Sequence, residues 1–158
     1  MRKYVSWLQI RLFSLFFCVP FLLDRVTKYL VVSGQVESQE ITSFFNIYLT
    51  YNQGIAWSIG SGLDGFYFVL GMFLIASILI YFAWYIRLVA LHSGMLASCF
   101  LILSGGVSNF IDRLFFVGVV DFIQLHAFDW YFPVFNVADV AITCGAMCLS
   151  YFFLRDEK

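Results

Sequence analysis

Two carboxylates stand out by their surroundings. Asp121 lies in Gly118-Val119-Val120-Asp121-Phe122-Ile123, and Asp139 in Phe135-Asn136-Val137-Ala138-Asp139-Val140. Each acid is set among apolar residues, and the segment between them is short enough to fold back. An acid in hydrocarbon costs roughly 2.5–3.5 kcal/mol on insertion scales, so its presence there points to function. Two such acids brought together compete for one proton. One then takes a proton from water while the other polarises a carbonyl or protonates a leaving amine. The chemistry expected of the pair is peptide-bond hydrolysis with neither a metal nor a covalent intermediate.

The surroundings separate the two roles. Asn136 is a good helix N-cap and Asp139 stands three residues on, an approximate capping box with Asp in place of Glu or Gln. The helix dipole also favours an acid in the first turn, so Asp139 is expected as the ionised base. Asp121 has Val119, Val120, Phe122 and Ile123 around it. Desolvation and a neighbouring acid both favour its protonated form, so it is expected as the acid. Further polar residues fall near the same end of the apolar segments: Asp24, Lys28, Asn52, Asn109, Asp112, Arg113 and Asn136. Asp24 and Lys28 are i, i+4 in the favoured order, which fits a local ion pair and, equally, a site-facing role.

Other chemistries have less support. Ser104 and Ser108 have no His in a context that places it beside them, and G-x-S-x-G does not occur. No zinc motif is present, and His92 and His126 are isolated. Intramembrane acids also mark proton relays; these cluster at one boundary, whereas a relay needs stations through the membrane depth. A non-enzymatic membrane subunit whose acids pair with a partner stays open at this point.

The elements that must hold these residues are membrane elements. Of 158 residues 62% are hydrophobic and 12% charged, against a usual charged share near 25%. One domain of this size, residues 1–158, cannot hide that much apolar surface from water, so lipid is part of its solvent. The formal net charge of −1 argues against nucleic-acid binding, which needs a clustered basic surface. Four spans are expected, at about residues 8–31, 66–86, 93–117 and 136–154. The first resembles a signal peptide, but Asp24-Arg25 stands where a small-residue cleavage site belongs, and Pro20 is placed to kink it. Between spans 1 and 2, about residues 34–65, Phe45 to Asn52 alternates with period two and reads as strand. Asn52-Gln53-Gly54 reads as a turn, and Ile55–Ile59 with Trp57 as an interfacial segment. Ser104-Gly105-Gly106-Val107-Ser108 allows close helix approach, and Gly118 to Phe135 reads as turn-prone.

Four spans put both termini on one side, with Arg2, Lys3, Arg11, Arg87, Arg155 and Lys158. The positive-inside rule makes that side cytoplasmic, so the acids face outward. Of the 4 cysteines, Cys144 and Cys148 share a helix face; with Cys18 and Cys99 they are expected as small buried hydrophobes.

Five short motifs occur in order: Asp24-x-x-x-Lys28, Asn52-x-Gly54, Asn109-Phe110-Ile111-Asp112-Arg113, Val120-Asp121-Phe122 and Phe135-Asn136-Val137-Ala138-Asp139. In this the chain resembles the lipoprotein signal peptidases, the type II signal peptidases, from the first span to the fourth. The resemblance implies a mainly α membrane protein, a four-transmembrane-helix bundle with a small extracytoplasmic β-sheet, or cradle, between helices 1 and 2. It implies an aspartic endopeptidase of the bacterial inner membrane, active at the outer, periplasmic face. Its substrates would be prolipoproteins carrying diacylglycerol on a cysteine, cut just before that cysteine. Asp121 and Asp139 match the catalytic pair. Asn52, Gly54, Asn109, Arg113 and Asn136 match positions that shape the site or hold substrate, and Asp24, Lys28 and Asp112 match supporting positions. No cofactor or metal is expected; the partners are substrate and membrane lipid, and the protein is expected as a monomer. Ser108 departs from the family, which usually has Gly there; a hydrogen bond from its hydroxyl to a neighbouring helix backbone is the expected accommodation.

Overall fold

The computed structural model describes residues 7–53, 65–88, 93–116 and 118–156. Gly54 and the Ile55–Ile59 segment with Trp57 lie outside the described residues. The chain begins with helix α1 (Trp7–Phe13), a π turn (Ser14–Cys18) and α2 (Val19–Val32) in direct succession. Pro20 sits in the first turn of α2. It has no N–H to give to the carbonyl four residues back, on Phe16, and the π turn falls where that bond is missing. The kink expected at Pro20 thus takes the form of a π turn just before it. Beyond the turn, Asp24, Lys28 and Val31 form the buried stripe of α2, whereas α1 buries nothing.

Helices α3 (Gly65–Leu88), α4 (Ser93–Phe115) and α5 (Val137–Asp156) follow the boundaries expected for the other apolar segments closely. Both α4 and α5 are long and apolar enough to cross a membrane. For α5 only 17% of the apolar window is buried inside the protein, which fits a helix whose outer face lies against lipid. The helix surfaces agree. Leu22, Leu23 and Val26 of α2, Phe73 and Ile80 of α3, and Met147 and Phe153 of α5 face outward. The fully buried side chains are largely polar, among them Asp24, Lys28, Asp112 and Asn136.

Small residues bring α4 and α5 together. A Cβ on Gly105 would stand 2.2 Å from the Ala138 carbonyl oxygen, and one on Gly145 would stand 2.8 Å from that of Ser98. Gly106 faces Leu79 of α3, where a Cβ would meet Cδ2 at 2.7 Å. The Ser104–Ser108 stretch therefore seats two helices at once.

A four-stranded antiparallel sheet, β1 to β4 in order, caps one end of the helices. Strands β1 (Gln39–Thr42) and β2 (Phe45–Asn52) come from the expected polar stretch. The other two, β3 (Val119–Ala127) and β4 (Trp130–Tyr131), come from the segment expected to be only turn-prone. That expectation is corrected. The apolar Val119-Val120 and Phe122-Ile123 that isolate Asp121 are also good strand residues, and β2 supplies the edge they need. The sheet thus joins the connection after α2 to the connection after α4. Cys144 and Cys148 are likewise corrected. They do share a face, but it is the exposed face of α5, while Cys99 alone is buried. The reason is that α5 spends its Ala138, Ala141 and Gly145 side on α4.

A Gly105→Ala substitution should lower the thermal unfolding temperature in detergent, since overpacking against backbone costs roughly 1–3 kcal/mol. Gly71→Ala, whose Cβ would meet nothing within 4 Å, should leave it unchanged or raise it, by helix propensity. Equal behaviour of the two variants would contradict the packing described.

Candidate active site

Asp121 reaches the site through strand pairing. It stands opposite Thr50, with Asn52 opposite Val119, so the end of β2 runs alongside it. Gly118 allows this approach: a Cβ there would stand 2.6 Å from the Asn52 carbonyl oxygen. Asn52 Nδ2 donates to Asp121 Oδ2 at 3.1 Å. Asp121 is only 2% exposed. Burial first, and then the negative charge of Asp139, push its pKa up to about 6 against the pull of Asn52, Asn136 and Lys28.

The chain then folds back as expected. Phe135 accepts the N–H groups of Phe122 and Ile123 at 3.0 and 2.8 Å and donates to the Ile123 carbonyl at 3.0 Å. This delivers Asn136 beside Asp121 and starts α5. The capping box is complete: Asn136 Oδ1 accepts the Asp139 N–H at 2.9 Å, and Asp139 Oδ2 accepts the Asn136 N–H at 3.2 Å. The Asn136 side chain meanwhile donates from Nδ2 to Asp121 Oδ1 at 2.6 Å. One asparagine therefore touches both carboxylates, Asp121 by its side chain and Asp139 by its backbone. Asn109 of α4 completes the support, giving Nδ2 to Asp139 Oδ1 at 2.8 Å.

Behind the pair lies a buried ionic group. Lys28 Nζ is 2.7 Å from Asp24 Oδ2, 2.7 Å from Asp112 Oδ2 and 2.9 Å from Asn109 Oδ1. Asp24 and Lys28 thus form the local ion pair and also face the site. Arg25 pairs with the other oxygen of Asp112. Sequence reading missed Arg25 as part of this group; its signal was a second cation beside Asp24 at a membrane boundary, where an unpaired charge is costly. Ser108 donates to Asp24 Oδ2 at 2.6 Å and receives Arg25 on its hydroxyl at 3.3 Å. Its partner across the helices is a carboxylate, not the backbone carbonyl that was expected. Arg113 is anchored to the Asn109 carbonyl at 3.2 Å.

The two aspartates open onto a groove of about 800 Å³ lined by Asn52, Asn109 and Arg113 on the polar side. Ile75 of α3 and Val140, Ile142 and Cys144 of α5 make its apolar side. Of the sequence-derived site residues, nine of the ten, all but Gly54, are brought into this groove or the network behind it. Gly54 lies outside the described residues. Among the described residues no three His, Cys, Asp or Glu side chains are grouped to hold a metal ion. The arrangement presents a carboxyl with raised proton affinity beside a second, amide-supported carboxylate. Such an arrangement is chemically suited to acid–base work on a substrate with apolar parts.

The chain is similar to known proteins along nearly its whole length. Residues 16–155 match the family described as Signal peptidase (SPase) II. The chain is 40% identical over 141 residues to a lipoprotein signal peptidase of Janthinobacterium sp. (strain Marseille), covering 85% of this chain and 82% of that protein. It is 38% identical over 140 residues to one of Listeria monocytogenes serotype 4a (strain HCC23), covering 86% and 89%. Two bacterial membrane enzymes solved by the in meso method share its fold. One has a TM-score of 0.74 at 31% identity, covering 99% of this chain and 93% of the other. The second has a TM-score of 0.77 at 30% identity, covering 98% and 97%. With the family matched along nearly its whole length, this chain belongs to the signal peptidase II family.

Proposed function

We propose that this chain is an aspartic endopeptidase that removes the signal peptide from diacylglyceryl-modified prolipoproteins, cutting just before the lipidated cysteine. The observation that carries the reading is the contact of Asn136 with both carboxylates at the mouth of an apolar groove. Family membership supports peptide cleavage, and the relatives are named for lipoprotein signal peptides. The groove supports a lipidated substrate. Acyl chains contribute roughly 0.8 kcal/mol per buried CH₂, so lipid can orient the scissile bond without extensive peptide contacts.

In the mechanism proposed, Asp139 is the ionised member, held by the Asn109 amide and the Asn136 N–H. It takes a proton from water as the water oxygen bonds to the scissile carbonyl carbon. Asp121 gives its proton to the carbonyl oxygen, and a neutral tetrahedral diol forms. The C–N bond then breaks, the amine nitrogen receiving the proton held by Asp139 while a hydroxyl proton of the diol returns to Asp121. Water is consumed, an acid and an amine leave, and the pair regains its starting state. Arg113 adds positive charge at the same groove and favours negative charge developing on the carbonyl oxygen.

The whole chain is proposed as one integral membrane domain and a monomer of the bacterial inner membrane. In this arrangement α1 with α2, α3, α4 and α5 make four spans. Both termini are cytoplasmic, as the cation bias supports, and the sheet lies over the site on the periplasmic side. Peptide, lipid and water meet only at that boundary.

Asp121→Asn and Asp139→Asn should each abolish cleavage of a diacylglyceryl lipobox peptide by purified protein in detergent while leaving the unfolding temperature near the parent's. Appreciable turnover by either folded variant would sink the pair; proton flux without cleavage would favour a carrier. The pH dependence follows from Asp121. A group that acts protonated, with its pKa pushed up to about 6, is competent below that value and lost as pH rises through it. Accordingly kcat/KM, which reports the free enzyme, should decline on its alkaline side with an apparent pKa near 6. A profile flat from pH 5 to 8 would contradict the assignment.

A further inference from the structure

The buried ionic group is connected to the aspartate pair through the backbone. Asp24 Oδ1 accepts the N–H of Ala138 at 2.8 Å, and Ala138 immediately precedes Asp139. Asp112 Oδ2 accepts the N–H of Val120 at 3.2 Å, and Val120 immediately precedes Asp121. The two contacts are equivalent: a buried carboxylate holds the peptide unit just before each aspartate of the pair. Lys28 Nζ joins them, 2.7 Å from either carboxylate.

The third proton of Lys28 goes to Asn109 Oδ1 at 2.9 Å. An ammonium only donates, so it obliges Asn109 to turn its oxygen inward and its NH₂ toward Asp139. All three N–H bonds of Lys28 are thus used, with the residue 1% exposed. They join α2 to α4 directly, and through Asp112 and Asp24 the link extends to Val120 of β3 and Ala138 of α5.

We propose that Lys28 is a positioning residue that sets the spacing of Asp121 and Asp139, by clamping together the two carboxylates that hold the peptide units before them. The proposal rests on the reading of those aspartates as the catalytic pair. A lysine needed only for charge balance would be served by one carboxylate on its own helix; this one also bonds Asp112 and Asn109 of α4, and its two carboxylates hold the backbone of β3 and α5. Its ammonium also acts on the pair electrostatically. The charges facing the cluster are Asp24 and Arg25 on α2, Asp112 and Arg113 on α4, Asp121 on β3 and Asp139 on α5. Among them Lys28 lowers the proton affinity of Asp121.

Removing Lys28 alone leaves a buried unpaired carboxylate and is expected to unfold the protein. The decisive variants keep the charge balanced. Lys28→Arg retains the cation but replaces one three-pronged donor point with a planar fork. Lys28→Met with Asp24→Asn removes one charge of each sign and leaves an amide oxygen for the Ala138 N–H. Both are assayed in detergent on the diacylglyceryl lipobox peptide, beside the parent and Asp121→Asn.

With unfolding temperatures near the parent's, kcat should fall about 10- to 100-fold in each, the scale of a displacement of about 1 Å in a reacting group. KM should stay within about twofold. The alkaline limb of kcat/KM should move to higher pH in the double variant and stay in place in Lys28→Arg. Parental kcat in either folded variant, or an unmoved limb in the double variant, would overturn the clamp and leave Lys28 a charge-balancing residue. Failure of the parent to cleave, or cleavage by Asp121→Asn, would instead overturn the aspartate pair.

Discussion

The structure depends on one buried cation. Lys28 is buried away from bulk water, and an ammonium moved into a low-dielectric interior pays several kcal/mol unless partners replace its hydration. Asp24 and Asp112 meet that demand at 2.7 Å each. They bring the demand back in mirror form, for two carboxylates within reach of one cation are still one charge short. Arg25, pairing with Asp112 from the edge of the cluster, restores neutrality. Two acids and two bases balance, and no member can leave without stranding another. Breaking such a group by deleting one partner typically costs roughly 3–5 kcal/mol. That coupling ties α2 to α4, and through backbone N–H groups to β3 and α5 as well.

Around this group the usual order of a folded protein is inverted. In water a chain hides leucine and phenylalanine and exposes its charges; here the most buried side chains include a lysine, three aspartates and an asparagine, while apolar residues face outward. Lipid makes the inversion stable. Helices in hydrocarbon gain little from hiding one another's apolar faces, so they associate by close packing and polar contacts. Both are present. Gly105 and Gly145 let α4 and α5 approach to backbone contact, and the ionic group sits at the end of that seam where the sheet closes over it. The small residues fix the distance between helices and the polar residues fix their register.

The amide side chains convert this framework into a site. Asn109 and Asn136 each have two faces, oxygen and nitrogen, and the cluster dictates which way each turns. Lys28 takes the oxygen of Asn109, so its nitrogen reaches Asp139. The Asp139 N–H takes the oxygen of Asn136, so its nitrogen reaches Asp121. Donor direction is therefore set by the buried cation at Asp139 and by the start of α5 at Asp121. Asp121, bordered by apolar residues, and Asp139, in the first turn of a helix, occupy unlike surroundings, which is the condition under which a carboxyl pair divides into acid and base.

Much of this was legible in the residues. Apolar run lengths located the helices to within a few residues, and Asn136 with Asp139 announced a capping box that is present atom for atom. The cost of an acid in an apolar run singled out Asp121 and Asp139 without any coordinates. What the sequence misjudged were the features that depend on a neighbour. Val119 to Ile123 became a strand because β2 offered an edge, and Cys144 and Cys148 face outward because α5 gave its small-residue side to α4. The expected partner of Ser108 was a backbone carbonyl; the folded chain puts Asp24 there. Composition and spacing are properties of a segment, and they determine which residues are costly, which are helical and which acids must be explained. Only the tertiary structure decided that Asp24 reaches the N–H before Asp139 and Asp112 the N–H before Asp121. A hydrogen bond between residues distant in the chain depends on how helices and sheet pack, and no local pattern contains that information.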